Sequence, residues 1–141
     1  MDFSTVNWLA VVVCVIVSMI SGSIWYNPRT FFPIWWKGIG KTGEPGMQGN
    51  MGMTWGLTIL SSFVQAIAMS FMVDAMGSLM TGGVSAATGA MTGFMLWFGF
   101  IAPTYLVNKL FAGHSLQVWA IEVGNHLLNF VLFGAILGAW Q

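Results

Sequence analysis

Apolar residues run almost unbroken through four stretches of this chain, 6–26, 53–76, 85–107 and 116–140, while glycine, proline and most charged residues collect in the breaks between them. A helix needs about 20 mostly apolar residues to cross about 30 Å of hydrocarbon. Each stretch meets that length, so the pattern predicts an all-α integral membrane protein, four spanning helices in one bundle and one domain over residues 1–141. The first stretch is read as a retained span rather than a signal peptide, because Asp2 is acidic and no basic segment precedes the apolar run. Its end is marked by Pro28, which disfavours helix at Asn27. Between the first two spans, Phe31, Phe32, Ile34, Trp35, Trp36 and Lys37 predict a short helix lying at the membrane interface. The glycine-rich run 38–52, with Pro45, predicts a loop. Pro103 removes a backbone hydrogen bond and crowds the carbonyl of Gly99, so a kink is expected in the third span.

Composition narrows the class further. Of 141 residues 57% are hydrophobic and 6% charged, against about 25% charged in soluble domains. The lipid bilayer is therefore the expected surrounding. Formal charge is zero, and the basic residues form no patch of the kind that nucleic acid requires, so nucleic acid is excluded as a partner. The single Cys14 rules out an intrachain disulfide. Trp8, Trp55, Trp119 and Trp140 fall near span ends and read as an aromatic belt, with Trp25 and Tyr26 also expected at headgroup level. Arg29, Lys37 and Lys41 lie in the first connection and Lys109 in the third, with no Lys or Arg in the second. The positive-inside bias then puts both termini outside, which in a bacterial cell is the periplasmic side of the inner membrane.

Chemistry is concentrated on the last span. Glu122, Asn125, His126 and Asn129 stand at i, i+3, i+4 and i+7 and share one helix face. Intramembrane polar groups are costly without partners. Gln65, at similar depth on the second span, belongs to a face with Thr58, Ser61 and Ser62 that is the expected opposite wall. Three roles are open for the stripe: interhelical hydrogen bonds that set helix register, a proton or ion path through Glu122 and His126, or a catalytic or metal site on His126. The third lacks ligands, since the remaining His, Asp and Glu residues lie at other depths. No metal, cofactor or catalytic residue is expected. On the other side of this helix come Gly124, Gly134 and Gly138. Gly134/Gly138, Gly89/Gly93 and Gly52/Gly56 have the G-x-x-x-G spacing of close helix packing, a spacing that 18 glycines would produce about twice by chance.

The chain resembles a family of small bacterial four-span membrane proteins catalogued as a domain of unknown function. The resemblance rests on Gly22-Ser-Ile-Trp25-Tyr26-Asn27-Pro28 followed by Phe32 and Trp36, on Gly99-Phe-Ile-Ala-Pro103-Thr104 continuing to Asn108 and Phe111, and on Gly124-Asn125-His126. It implies a four-helix membrane fold and supplies no activity. Scarcity of chemistry favours a non-enzymatic structural or accessory protein that acts through helix packing, as a homo-oligomer or a subunit of a larger membrane complex. The alternative is a small proton-coupled or ion-conducting transporter using Glu122 and His126.

Overall fold

The structure, a computed structural model, describes residues 2–43 and 49–140. It is all helical, with four helices long and apolar enough to cross a membrane: Trp8–Trp25, Met51–Leu79, Ala86–Phe111 and Leu116–Ala139. We label α1 (Trp8–Trp25), α2 (Phe32–Gly38), α3 (Met51–Leu79), α4 (Ala86–Leu96), α5 (Ala102–Phe111) and α6 (Leu116–Ala139). A π-helical turn, Trp97–Ile101, joins α4 to α5. The predicted kink is thus a widened turn that ends two residues before Pro103, where the missing proline N–H leaves the backbone ladder to rearrange.

Polar side chains start the long helices. Asn7, Asn50, Ser85 and Ser115 each accept a hydrogen bond from a backbone N–H in the first turn of α1, α3, α4 and α6, satisfying donors that have no intrahelical partner. Ser85 and Thr88 bond reciprocally in a capping box. Between α5 and α6 the chain reverses through Gly113, at φ +76°. Gly113 N–H donates to the Leu110 carbonyl and His114 N–H to that of Lys109, which is the Schellman closure that favours glycine. These closures shift the predicted bounds. α3 begins two residues before the predicted span and runs three beyond it, and the third span continues to Phe111. Lys109 is therefore in the last helical turn rather than in a connection. The predicted loop begins after Gly38, the last residue of α2, and ends before Met51; its residues 44–48, Pro45 among them, lie outside the described residues.

α4 and α6 pack along a seam of glycines. A Cβ built on Gly89 would overlap the Gly134 carbonyl, one on Gly93 the Phe130 carbonyl, and one on Gly138 the Ser85 carbonyl. Two of the three G-x-x-x-G pairs thus mate with each other inside the chain, while Gly56 of the third faces open space. Gly124 meets a different neighbour, the Trp25 ring of α1.

The apolar core gathers at one end. Val6, Ala10, Val11 and Cys14 pack with Ala66, Met69 and Val73 of α3 and with Phe130, Phe133 and Leu137 of α6. Asn7 Nδ2 donates to the Trp140 carbonyl at 2.8 Å and ties α1 to the end of α6 there. Small residues, Ala10, Cys14 and Ala66, let α1 and α3 approach. Toward the other end α3 stands away from the bundle, and every residue from 52 to 61 is exposed. That divergence leaves room for a cavity.

Four indoles fix the helices around α6. Trp25 Nε1 donates to the Ile121 carbonyl at 2.8 Å, Trp97 to Val123 at 2.8 Å, and Trp119 of α6 to Ala102 at 2.9 Å. Trp35 of α2 reaches Glu122 Oε1 at 3.0 Å. Trp25 and Trp119 are therefore internal pins rather than belt residues, whereas Trp8, Trp55 and Trp140 are about half exposed. A Trp97→Phe change keeps a ring in the slot and deletes the N–H. It is expected to lower stability by about 0.6–1 kcal/mol, read as an earlier midpoint in dodecyl sulfate unfolding followed by circular dichroism.

Candidate functional site

α1, α3 and α6 line a cavity of about 910 Å³, open on one side, in the half of the bundle away from the apolar core. Its size falls within the range of about 300–1,000 Å³ typical of small-molecule sites. α6 supplies Asn125, His126 and Asn129, and α3 supplies Thr58, Ser61, Ser62 and Gln65. The two predicted walls do face each other, but across an open space instead of in contact. α1 adds Ser18 and Gly22, the turn after it Tyr26 and Asn27, and α2 closes one side with Phe32. At about 1.5 Å per residue, Asn125 and Asn129 lie about 14 and 20 Å along α6 from Leu116.

The local helix chemistry explains why this half is hollow. Thr58 bonds its hydroxyl back to the Thr54 carbonyl at 2.8 Å, and Gln65 Nε2 donates to Ser61 Oγ at 3.3 Å within the same helix. Short side chains satisfied by their own helix neither reach across nor fill space. Gly22 on α1 has nothing near the position of a Cβ. The residues that close the core end, Phe133 and Leu137 among them, have no counterpart here.

Behind the cavity wall a polar chain runs from α1 into α6. Ser21 Oγ donates to Asn129 Oδ1, and Asn129 Nδ2 points to Asn125 Oδ1 at 3.5 Å. There it stops. Asn125 is 8% exposed, and its Nδ2 has no hydrogen-bond partner among the described residues. Among the described residues Trp36, Ser70 and His114 also carry a buried polar atom without a partner; Asn125 reaches the cavity wall, but its Nδ2 is itself covered. A buried amide donor left unmatched costs about 1–3 kcal/mol.

Glu122 and His126, which the sequence joins as neighbours on one stripe, are drawn to different partners. Glu122 Oε2 pairs with Lys109 Nζ at 2.8 Å, the two side chains 12% and 20% exposed, and its other oxygen takes the Trp35 indole. His126 Nε2 lies 2.9 Å from the Tyr105 hydroxyl of α5. Glu122 does not line the cavity, whereas His126 does. No group of three His, Cys, Asp or Glu residues able to hold a metal ion occurs among the described residues. Gly89, Gly93, Gly134 and Gly138 lie in the α4/α6 seam, outside the cavity.

Sequence reasoning did not name Ser18, Ser21, Tyr105, Lys109 or Trp35 as site residues. For the serines a signal existed: Ser18 and Ser21 stand three apart on the apolar α1, the only such face on that helix that also carries Cys14 and the buried Val11. Tyr105, Lys109 and Trp35 reach the stripe from other elements, and the helical period of α6 does not register them.

A family model described as a protein of unknown function matches residues 9–138. No curated protein and no solved structure matches the chain. The match takes in all four long helices except the end residues Trp8 and Ala139, and every residue of the cavity wall.

Proposed function

The chain belongs to the DUF1761 family, proteins of unknown function, and we propose that it is a non-enzymatic accessory protein of the membrane that holds a small molecule in the cavity between α1, α3 and α6. The cavity itself, with Ser18, Ser62, Asn125 and Asn129 on its wall, carries this reading. A site with buried hydrogen-bonding groups, an apolar surround and a preformed volume is the usual form of a small-molecule pocket. Among the described residues of the wall no nucleophile is paired with a base, which fits binding better than catalysis. Any homo-oligomer or larger complex would form through the outward faces, because the strongest packing motifs are already used between α4 and α6.

The test is native mass spectrometry of the protein extracted in mild detergent from its own membranes. The parent is expected to carry a non-covalent small-molecule mass, and Gly22→Leu, which projects a side chain into open cavity space, is expected to lose it. A parent chain that carries nothing, and takes up nothing from a membrane lipid extract, would sink the reading. The same spectrum reads subunit stoichiometry.

A second reading is favoured by the His126–Tyr105 pair, whose imidazole lies on the cavity wall. In it the protein is a small proton-coupled or ion-conducting transporter, with His126 exchanging a proton with the cavity and Glu122 setting the local field. Proteoliposome flux that falls in His126→Ala would support it. Flux that is absent in the parent, or unchanged in both His126→Ala and Glu122→Gln, removes it.

A further inference from the structure

Among the described residues of the cavity wall, none is Asp, Glu, Lys or Arg, and the imidazole of His126 is the one group able to take a charge near neutral pH. Its Nε2 lies against the Tyr105 hydroxyl of α5. Its Nδ1 has no hydrogen-bond partner among the described residues, yet unlike the Nδ2 of Asn125 it is not covered, and the open space that His126 adjoins is the cavity. When Nε2–H donates to Tyr105, Nδ1 presents a lone pair to that space.

The charges nearest the imidazole cancel. Glu122, one turn back on α6, is committed to Lys109 of α5 and to the Trp35 indole of α2, and Tyr105 and Tyr26 are phenols, neutral at neutral pH. A cationic head group would find no acid on the wall to face it. A carboxylic acid fits differently, because it brings its own proton. The acid O–H bond breaks as Nδ1–H forms, leaving a carboxylate against an imidazolium whose Nε2–H stays on Tyr105. The complex gains no net charge, so no isolated ion is placed about 15 Å along α6 from Leu116, where one would be costly.

The α3 wall complements such a head. Ser18, Ser23, Thr54 and Thr58 give their hydroxyl protons to carbonyls of their own helices or caps. Ser61 instead accepts from Gln65, and neither Ser61 nor Ser62 donates to another described residue. Hydroxyls with a proton to give call for an acceptor, and a carboxylate paired with one imidazolium keeps lone pairs to offer them. Met19, Met51, Met53, Trp55 and Leu57 make other parts of the wall apolar, and methionine side chains adapt to hydrocarbon of varied shape.

From these observations we infer that the cavity takes a long-chain carboxylic acid, its carboxyl group at His126 and its hydrocarbon along the apolar part of the wall. This rests on the binding reading proposed above and names the ligand class of that same site.

The experiment uses the full chain in an uncharged polyoxyethylene detergent, titrated with laurate, lauryl alcohol, laurylamine and hexanoate and read by native mass spectrometry. Laurate is expected to bind at least about tenfold more tightly than each of the other three, and His126→Gln is expected to weaken laurate about tenfold while leaving lauryl alcohol within about twofold. Should His126→Gln fail to fold, the order of the four probes on the parent decides. Lauryl alcohol or laurylamine binding as tightly as laurate, or laurate binding unchanged in a folded His126→Gln, overturns the acid head. Hexanoate binding as tightly as laurate overturns the long chain. Each of these leaves the cavity reading standing. If none of the four binds the parent better than it binds Gly22→Leu, which fills the space and keeps His126, both readings fall together.

Discussion

Gly134→Ala will cost the protein much of its stability, while Gly56→Ala will leave it as stable or slightly more so. The two glycines sit in similar G-x-x-x-G contexts and differ in what lies above them. A methyl on Gly134 overlaps the Gly89 carbonyl, whereas the same methyl on Gly56 meets nothing within 4 Å. The obstacle at Gly134 is helix backbone, which has no rotamer to change. α4 and α6 would have to separate along the whole seam, because Gly93 against Phe130 and Gly138 against Ser85 are equally close. Separation would in turn loosen Phe133 and Leu137 and stretch the Trp97 bond to the Val123 carbonyl. Overpacking typically costs about 1–3 kcal/mol, and with backbone on both sides the expected loss is about 3 kcal/mol, a large share of the total of about 5–15 that holds a domain together. At Gly56 the alanine contributes helix propensity, up to about 1 kcal/mol. Dodecyl sulfate titration monitored by circular dichroism measures both. Equal midpoints for the two variants would mean that the seam is not closed as described.

How much of this could be read from the chain follows from what a bilayer makes obligatory. A spanning segment must satisfy its own backbone, so length and hydropathy reveal it directly. That is why the four long helices, the short helix α2 and the irregularity ahead of Pro103 were all legible, with ends displaced by a few residues where Asn50 and the Gly113 turn determine the closure. The shared face of Asn125, His126 and Asn129 was legible for the same reason, since it depends only on helical period. Neighbours are another matter. Helix phase says which residues share a face and not what that face meets. Nothing in the spacing of Gly89/Gly93 says that it mates with Gly134/Gly138 of the same chain, and an amphipathic tryptophan near a span end gives the same signal whether its N–H faces lipid headgroups or, like Trp25 and Trp119, a carbonyl of the next helix. The cavity was hidden most completely. Thr58, Ser61 and Ser62 identify a polar wall, but whether that wall is filled depends on where α3 leans over its 29 residues, and this is decided by the close-packed core at the opposite end.

Lys109→Met will destabilise the protein more than Glu122→Gln, and the double variant will recover most of the loss. Lys109 and Glu122 form an ion pair at 2.8 Å with side chains 20% and 12% exposed. Removing one partner from a largely buried pair costs about 3–5 kcal/mol, chiefly because the remaining charge is uncompensated; the residual exposure here puts the expected loss for Lys109→Met at about 3 kcal/mol. The two deletions are not equivalent. After Lys109→Met the carboxylate is held on a short stem in the second turn of α6 with the Trp35 indole as a neutral donor. After Glu122→Gln the ammonium, carried on a long stem from the last turn of α5, can extend toward the aqueous end of the helix and recover its hydration. The neutral pair of the double variant has no buried charge to compensate, so a double-mutant cycle is expected to show a coupling of about 2 kcal/mol. Additive losses would mean that the pair contributes nothing as a pair. The consequence reaches the cavity through α2, which is held to α6 by the Trp35–Glu122 bond and by Gly38 against Val118, and which places Phe32 on the cavity wall. Trp35→Phe, which keeps the ring and frees α2 from Glu122, is accordingly expected to leave the dodecyl sulfate midpoint within about 1 kcal/mol of the parent while speeding amide exchange in Phe32–Gly38. Unchanged exchange there would show that the contact with Val118 alone suffices to hold α2 in place.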